Sequence, residues 1–424
     1  MSSRLGPDLA SPAGLAALFA GVADAPSIGL AVSGGADSLA LLLLAAHWAD
    51  SLAAPPRLVV YSLDHGLREE AGDEVAMVLA VARSLGLEAR GLVWGGDKPV
   101  TGLQEAARQA RYRLIGAEMR KDGVGVLLTA HHRQDQAETV LMRLAHGSGI
   151  EGLKGMGAMV EIEGVLVHRP LLDVEPAALA GVVAAAGLVP AADPSNHDRH
   201  YERVRWRQAM PLLAELGLDG ATLAQFAARM GEADAAIMQM ADLAFAEIVR
   251  LDGFGAARIA LLPFGALSPA ISTRVLGRVL NIVGGRQKPR ALGQVERLRQ
   301  SIAQGSLERA STVLGCVVRL KDDAISVARE PGRALPADAM LMPRGELVWD
   351  ERFRIINGSD ESGLTASVAD YLPRHRLEAF LGCKVTAPAE AIRTAPIVRD
   401  ATGGVLSLGG WSFDERISVQ LLID

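Results

Sequence analysis

Cysteine is nearly absent from this sequence: Cys316 and Cys383 are the two in 424 residues. They lie far apart and form no CxxC pair, which excludes a disulfide framework and a cysteine zinc site and makes a reducing cytoplasm the simplest setting. No apolar run reaches membrane length. The mildly apolar stretch 14–23 is flanked by Asp8 and Asp24 with no cleavage pattern, so neither export nor a membrane partner is expected. Repeats of fixed period and low-complexity blocks are also missing, which sets solenoid architectures aside. The net charge of −6 excludes a uniformly basic nucleic-acid coat but not a local one.

What is present fits a folded protein of two or three domains, since 50% of residues are hydrophobic and 22% charged over a length that one core rarely organises. From residue 28, the text IGLAVSGGADSLALLLLAAHWA reads as strand, small-residue loop and helix. The pattern returns at 57–86 and 124–147, with a further strand at 87–96 and a helix at 103–121 between them. A parallel sheet with helices on both faces follows. Ligands in such sheets bind beyond the carboxyl ends of the strands, where the polar breaks 33–38, 62–68 and 131–138 should meet. Near residue 213 the texture becomes helical, and beyond residue 344 short β-like stretches alternate with turns. The expected division is a catalytic domain at 1–214, a helical domain at 215–330 and a small β-rich domain at 331–424.

Ser33-Gly34-Gly35-Ala36-Asp37-Ser38 offers two glycines for close backbone approach, two hydroxyls, and N–H groups at a helix start. A capped tight turn without ligand would use the same residues. No GxxxxGK[ST] occurs, so the lysine that reaches terminal phosphates in P-loops is missing and γ-phosphoryl transfer is disfavoured. A carboxylate in a phosphate loop needs a cation, which makes Asp37 a candidate Mg²⁺ ligand and points to cleavage at the α-phosphate. Asp64, His65 and Arg68 end the second strand, and His131, His132, Asp135 and Glu138 follow the third, the two acids sharing a helix face at i, i+3. Neither HExxH nor another histidine at metal spacing is present, so magnesium or an amine suits this set better than zinc. Arg108 and Arg111, three apart, are candidate phosphate or RNA contacts.

The hexapeptide resembles the SGGxDS signature of the PP-loop ATP pyrophosphatases. SGGADS, LDHGLR, LQEAARQARY, AHHRQDQAET and HGSGIEGLKGM together resemble, in order and spacing, the N-terminal domain of the tRNA(Ile)-lysidine synthetases. RPLL at 169–172 and DPSNHDRHYERVRWR at 193–207 continue the likeness, with Asp193, Ser195, Asn196, Arg203 and Arg207 matched. Gln134 and Val204 depart from the family pattern, where aspartate and asparagine are common. The resemblance implies an adenine nucleotide alpha hydrolase-like fold and ATP-dependent conversion of the wobble cytidine of a CAU-anticodon tRNA(Ile) to lysidine, with free lysine as second substrate.

On that reading Ser33, Gly34, Gly35, Ala36, Asp37, Ser38, Asp64, His65 and His131 bind ATP; Asp37, Asp135, Glu138 and Arg203 carry the chemistry, with Asp37 holding Mg²⁺ and Asp135 and Glu138 gripping lysine. Arg68, Arg108, Arg111, His132, Asn196, Arg207, Arg286 and Arg290 are the substrate or tRNA contacts, and homodimerisation is left open. Residues 274–299 hold seven cations against the single acid Glu296, a pattern suited to a phosphate backbone, with a solvated basic face as the alternative. The rival readings are a PP-loop tRNA thiolase, for which the two cysteines are badly placed, and a non-catalytic RNA-binding module.

Overall fold

The computed structural model describes residues 9–67, 70–99, 101–191, 198, 200–285, 292–307, 310–332, 335–369 and 373–423. The chain divides into two compact units, 1–234 and 235–424.

In the first unit, β1 (Ser27–Ala31), β2 (Arg57–Asp64), β3 (Glu88–Val93), β4 (Val126–Leu128), β5 (Met159–Ile162) and β6 (Val165–His168) form one sheet in the order β3-β2-β1-β4-β6-β5. The neighbours β3-β2, β2-β1, β1-β4 and β4-β6 are parallel, as the alternating strand and helix text requires. β5 is the departure. It runs antiparallel to β6 through the two-residue turn Glu163-Gly164, where both φ are positive (50° and 71°). Glu-Gly there supplies the mirror-image turn that a tight hairpin requires, so the parallel sheet gains an antiparallel edge.

Alternation of side chains sends successive residues of one strand to opposite faces. Ile28, Leu30, Leu58 and Val60 enter one core with α1 (Pro12–Phe19), α2 (Ala36–Asp50), α3 (Ala71–Ser84) and α7 (Pro176–Ala185). Val59, Tyr61 and Leu127 enter the other, against Tyr112, Ile115 and Met119 of α4 (Leu103–Asp122). Both faces are therefore covered. A third cluster joins α5 (Arg133–Ala145), α8 (Glu202–Glu215) and the long α9 (Gly220–Ile248) through Val140, Leu141, Met210, Leu223 and Ala227. The short α6 (Ile150–Leu153) lies in the segment that follows α5. Register aligns Ala31 with Tyr61 and Leu30 with Leu128, which sets the loops after β1, β2 and β4 along one edge.

In the second unit, the helices expected at 215–330 are accompanied by a five-stranded antiparallel sheet formed by Val249–Leu251, Ala257–Ala260, Ala324–Arg329, Cys316–Lys321 and Ser311–Val313 in that order. Its strands are three to six residues long, too short to show a period between helices. The remainder is β-rich, with a five-stranded and a three-stranded sheet. Among the described residues no helix is long and apolar enough to cross a membrane.

α4 approaches the sheet through Gly116, where an added Cβ would lie 2.4 Å from Val165 Cγ2. Gly116→Ala is expected to cost about 1–3 kcal/mol through overpacking, measured by urea unfolding. Val165→Ala in the same chain should recover most of that loss; no recovery would mean that the helix, not its contact with β6, is disturbed.

Candidate functional site

β1 hands the chain to a loop that has to turn sharply into α2. Gly34 lies at φ +89°, and a methyl there would also stand 3.1 Å from Met77 Cε, so both conformation and space call for glycine. Gly35 caps α2 with no side-chain bond, which leaves the first-turn N–H groups to a ligand oxygen. Ser38 braces the loop from within. Its Oγ donates to the Gly35 carbonyl at 2.9 Å, accepts from the Ser33 N–H at 3.2 Å and lies 3.3 Å from Ser33 Oγ. Asp37 stands in the first turn with 42% of its side chain exposed.

The end of β4 brings two adjacent histidines to this loop in opposite states. Thr129 Oγ1 lies 3.0 Å from His131 Nδ1. Burial pushes His131 down to about 4; Asp135 offsets this only in part, and the Arg169, Arg203 and Arg108 guanidiniums add to the depression. His132 caps α5: its Nδ1 accepts from the Asp135 N–H at 3.4 Å while Asp135 Oδ2 accepts from the His132 N–H at 3.1 Å. That bond assigns the ring proton to Nε2, which lies 3.5 Å from Asp37 Oδ2 and 3.6 Å from Asp135 Oδ2. Burial pulls His132 down, yet Asp37, Asp135 and Glu138 together overcome it and raise its pKa.

One turn along α5, Glu138 is wholly buried. Its Oε1 accepts from Arg207 Nε at 2.8 Å, its Oε2 from Arg207 Nη2 at 3.2 Å, and Arg203 Nε stands 3.4 Å away. Arg203 also donates to Thr139 Oγ1 at 3.2 Å, and Arg207 reaches within 3.7 Å of Asp135 Oδ1. The hydrogen bond that Arg207 donates to Glu138 is the largest cause of its raised pKa, ahead of the opposing effect of burial. The i, i+3 acids of α5 thus meet the i, i+4 arginines of α8. Glu138 faces guanidiniums, not the open ammonium site that its sequence position suggested. Asp37 and Asp135 are the acids left on the open side.

At the β2 end, Asp64 Oδ1 accepts from the Gly66 N–H at 2.6 Å and His65 meets Trp94 edge-on. Arg111 Nη2 lies 3.3 Å from His65 Nε2, and burial lowers the Arg111 pKa. Arg108 lies over the Tyr112 ring, 5.2 Å from its centroid, and its charge adds to the lowering of the Arg111 pKa. Arg68, Asn196, Arg286 and Arg290 lie outside the described residues, as do Asp193 and Ser195. Arg169 was missed as a site residue. It is 5% exposed, donates to the Gly157 carbonyl at 2.7 Å and acts on His131. Its place at the head of RPLL (169–172), directly after a strand, was the available signal. Among the described residues, no three of His, Cys, Asp or Glu cluster to hold a metal; a cation would have to share Asp37 with ligand oxygens.

A PP-loop domain family matches residues 11–213. A tRNA(Ile)-lysidine synthase of Rhodopseudomonas palustris is 44% identical over 327 residues, covering 74% of this chain and 94% of that protein. One from a Bradyrhizobium species is 42% identical over 335 residues, covering 74% and 93%. Another, from Bradyrhizobium diazoefficiens, is 42% identical over 347 residues, covering 76% and 94%.

The two histidines can be separated by titration. In NMR spectra of the full chain the His131 ring should titrate near pH 4 and the His132 ring above the ordinary histidine value. With His131 depressed, the unfolded chain takes up that proton first on acidification, so His131 withdraws stability as pH falls from about 6.5 toward its folded pKa. His132, raised, acts in the opposite sense. A His131 midpoint near 6.5 would show that its burial among arginines is misjudged.

Proposed function

The chain belongs to the tRNA(Ile)-lysidine synthases, and we propose that the carboxyl edge of its parallel sheet performs both halves of the reaction, with roles assigned residue by residue. The enzyme is an ATP-dependent ligase that forms lysidine on an isoleucine tRNA. The observation that carries the assignment of roles is that Asp37 of the Ser33–Ser38 loop and Asp135 of α5 both approach His132 Nε2, at 3.5 and 3.6 Å.

In the first half, the C2 oxygen of the wobble cytidine of a CAU anticodon attacks the α-phosphorus. The bond from that phosphorus to the bridging oxygen breaks, and pyrophosphate leaves. The first-turn N–H groups of α2 and the Ser33 hydroxyl hold the phosphates, with Ser38 bracing the loop from within. Asp37 fits a magnesium ion, which takes one or two carboxylates together with phosphate oxygens. When bound there, the ion neutralises charge on the departing pyrophosphate.

In the second half, the lysine ε-amine attacks C2 and AMP leaves with the C–O electron pair. Asp135 receives lysine at the open side and accepts the proton shed as the C–N bond forms. Arg203, partly exposed, faces the adenylate phosphate. Glu138 is a positioning residue that holds Arg207 and Arg203. A tRNA and free lysine are both met in the cytoplasm. A sulfur relay finds no support in Cys316, whose thiol burial pushes up to about 12.

The test incubates the full chain with ATP, magnesium, lysine and unmodified CAU-anticodon tRNA(Ile), with nucleosides analysed by mass. Lysidine should form, and Asp37→Asn should lower kcat by about 10²–10³-fold. Asp135→Asn should raise the KM for lysine, whereas Glu138→Gln should lower kcat with a smaller change in that KM. Absence of lysidine from the unmodified chain at saturating substrates overturns the assignment; equal lysine KM effects for the two variants overturn the split of roles.

A further inference from the structure

The segment after α5, HGSGIEGLKGM, is bound back onto that helix at several points. Arg143 donates to the Gly152 and Gly155 carbonyls at 2.7 and 2.6 Å. The buried Gln136 amide pairs with the backbone of Met156 in both directions, accepting its N–H at 2.7 Å and donating to its carbonyl at 3.1 Å. Gly155 sits at φ +69°, and a Cβ there would stand 2.6–2.7 Å from the Gln136 amide, so no other residue allows this closure.

Between Gly152 and Gly155, Lys154 reaches in the other direction, to α9. Its Nζ lies 2.7 Å from Asp234 Oδ2. The Asp234 side chain is 4% exposed and that of Lys154 41%. Asp234 stands three turns along α9 from Leu223 and two from Ala227, on the face that packs against α5 and α8. An apolar residue would complete that face. A buried carboxylate paired with one ammonium is weak evidence for stability, because a well-packed apolar pair does as well or better. Apolar contact, however, is non-directional: it sets how far α5 lies from α9 but not how α5 is rotated. The ion pair and the Gln136 clamp are directional, and Gln136 lies next to Asp135 and two residues before Glu138.

We infer that Lys154 and Asp234 are positioning residues for lysidine formation: through the Gly155-Met156 backbone and Gln136 they fix the rotation of α5, and with it Asp135 and Glu138. The inference rests on the catalytic reading above. It is tested in the full chain with Lys154→Met, Lys154→Arg and the double variant Lys154→Met/Asp234→Leu. The double variant should unfold thermally at or above the wild-type midpoint, yet lysidine formation should fall about 10-fold in kcat with the KM for ATP unchanged, as a small misplacement of acting groups does. Lys154→Arg, which keeps the charge, should retain the wild-type rate. Amide hydrogen exchange across residues 131–145 in the absence of substrates should quicken about 10-fold in Lys154→Met and in the double variant, and not in Lys154→Arg. Wild-type kcat and wild-type exchange in the double variant would overturn the inference. Should the unmodified chain make no lysidine, the functional reading fails, and the exchange measurement still decides whether the pair orients α5.

Discussion

The site depends on a carboxylate that water never reaches. Glu138 is fully buried and would be costly if left alone, so two guanidiniums from α8 must close on it: Arg207 through two hydrogen bonds and Arg203 at 3.4 Å. This pairing fixes α8 against α5 more narrowly than the shared apolar cluster of Val140, Leu141 and Met210 could. It also releases Asp135. With Glu138 drawing the arginines inward, Arg207 stays 3.7 Å from Asp135, whose main partner is the His132 cap.

Charge at the carboxyl edge of the sheet is mixed, and it acts on the two histidines in opposite senses. Asp37 and Asp135, at the start of α2 and α5, raise His132 against its burial. Arg169, Arg203 and Arg108 add to the lowering of His131, which burial already keeps neutral and Asp135 offsets only in part. A neutral imidazole there can hydrogen bond with Thr129 without adding charge to the site. The adjacent residues His131 and His132 thus differ through their surroundings alone.

The parallel sheet and the meeting of three loops were legible because each rests on a local signal. A short apolar run before a small-residue break marks β1 and α2, and the alignment of strand ends then follows from parallel pairing. The antiparallel β5 was not legible as an edge, although Glu163-Gly164 marked its turn, because four-residue strands give little period to read. Asp37 and Asp135 were found by residue type, and the structure brings them together. Glu138 was found too, but not its setting: sequence places an acid on a helix face and cannot say that arginines 65 and 69 positions later will cover it. Arg169 escaped although it heads the RPLL segment, because the sequence does not show that its guanidinium is buried and bears on His131.

Counting charge along the chain also hides which cations are already engaged. The run 274–299 carries seven cations in sequence, yet Arg278 is already bound to Asp242 at 2.8 Å and lies over the Phe245 ring, and Arg274 donates to Met238 Sδ at 3.2 Å. An arginine engaged in this way keeps its charge but gives up donors and must break contacts before it can grip a phosphate. Salt dependence of RNA binding follows the phosphates neutralised, not the formal charges nearby. Arg278, so engaged, fastens α9 to the helix Pro269–Gly284 within the second unit.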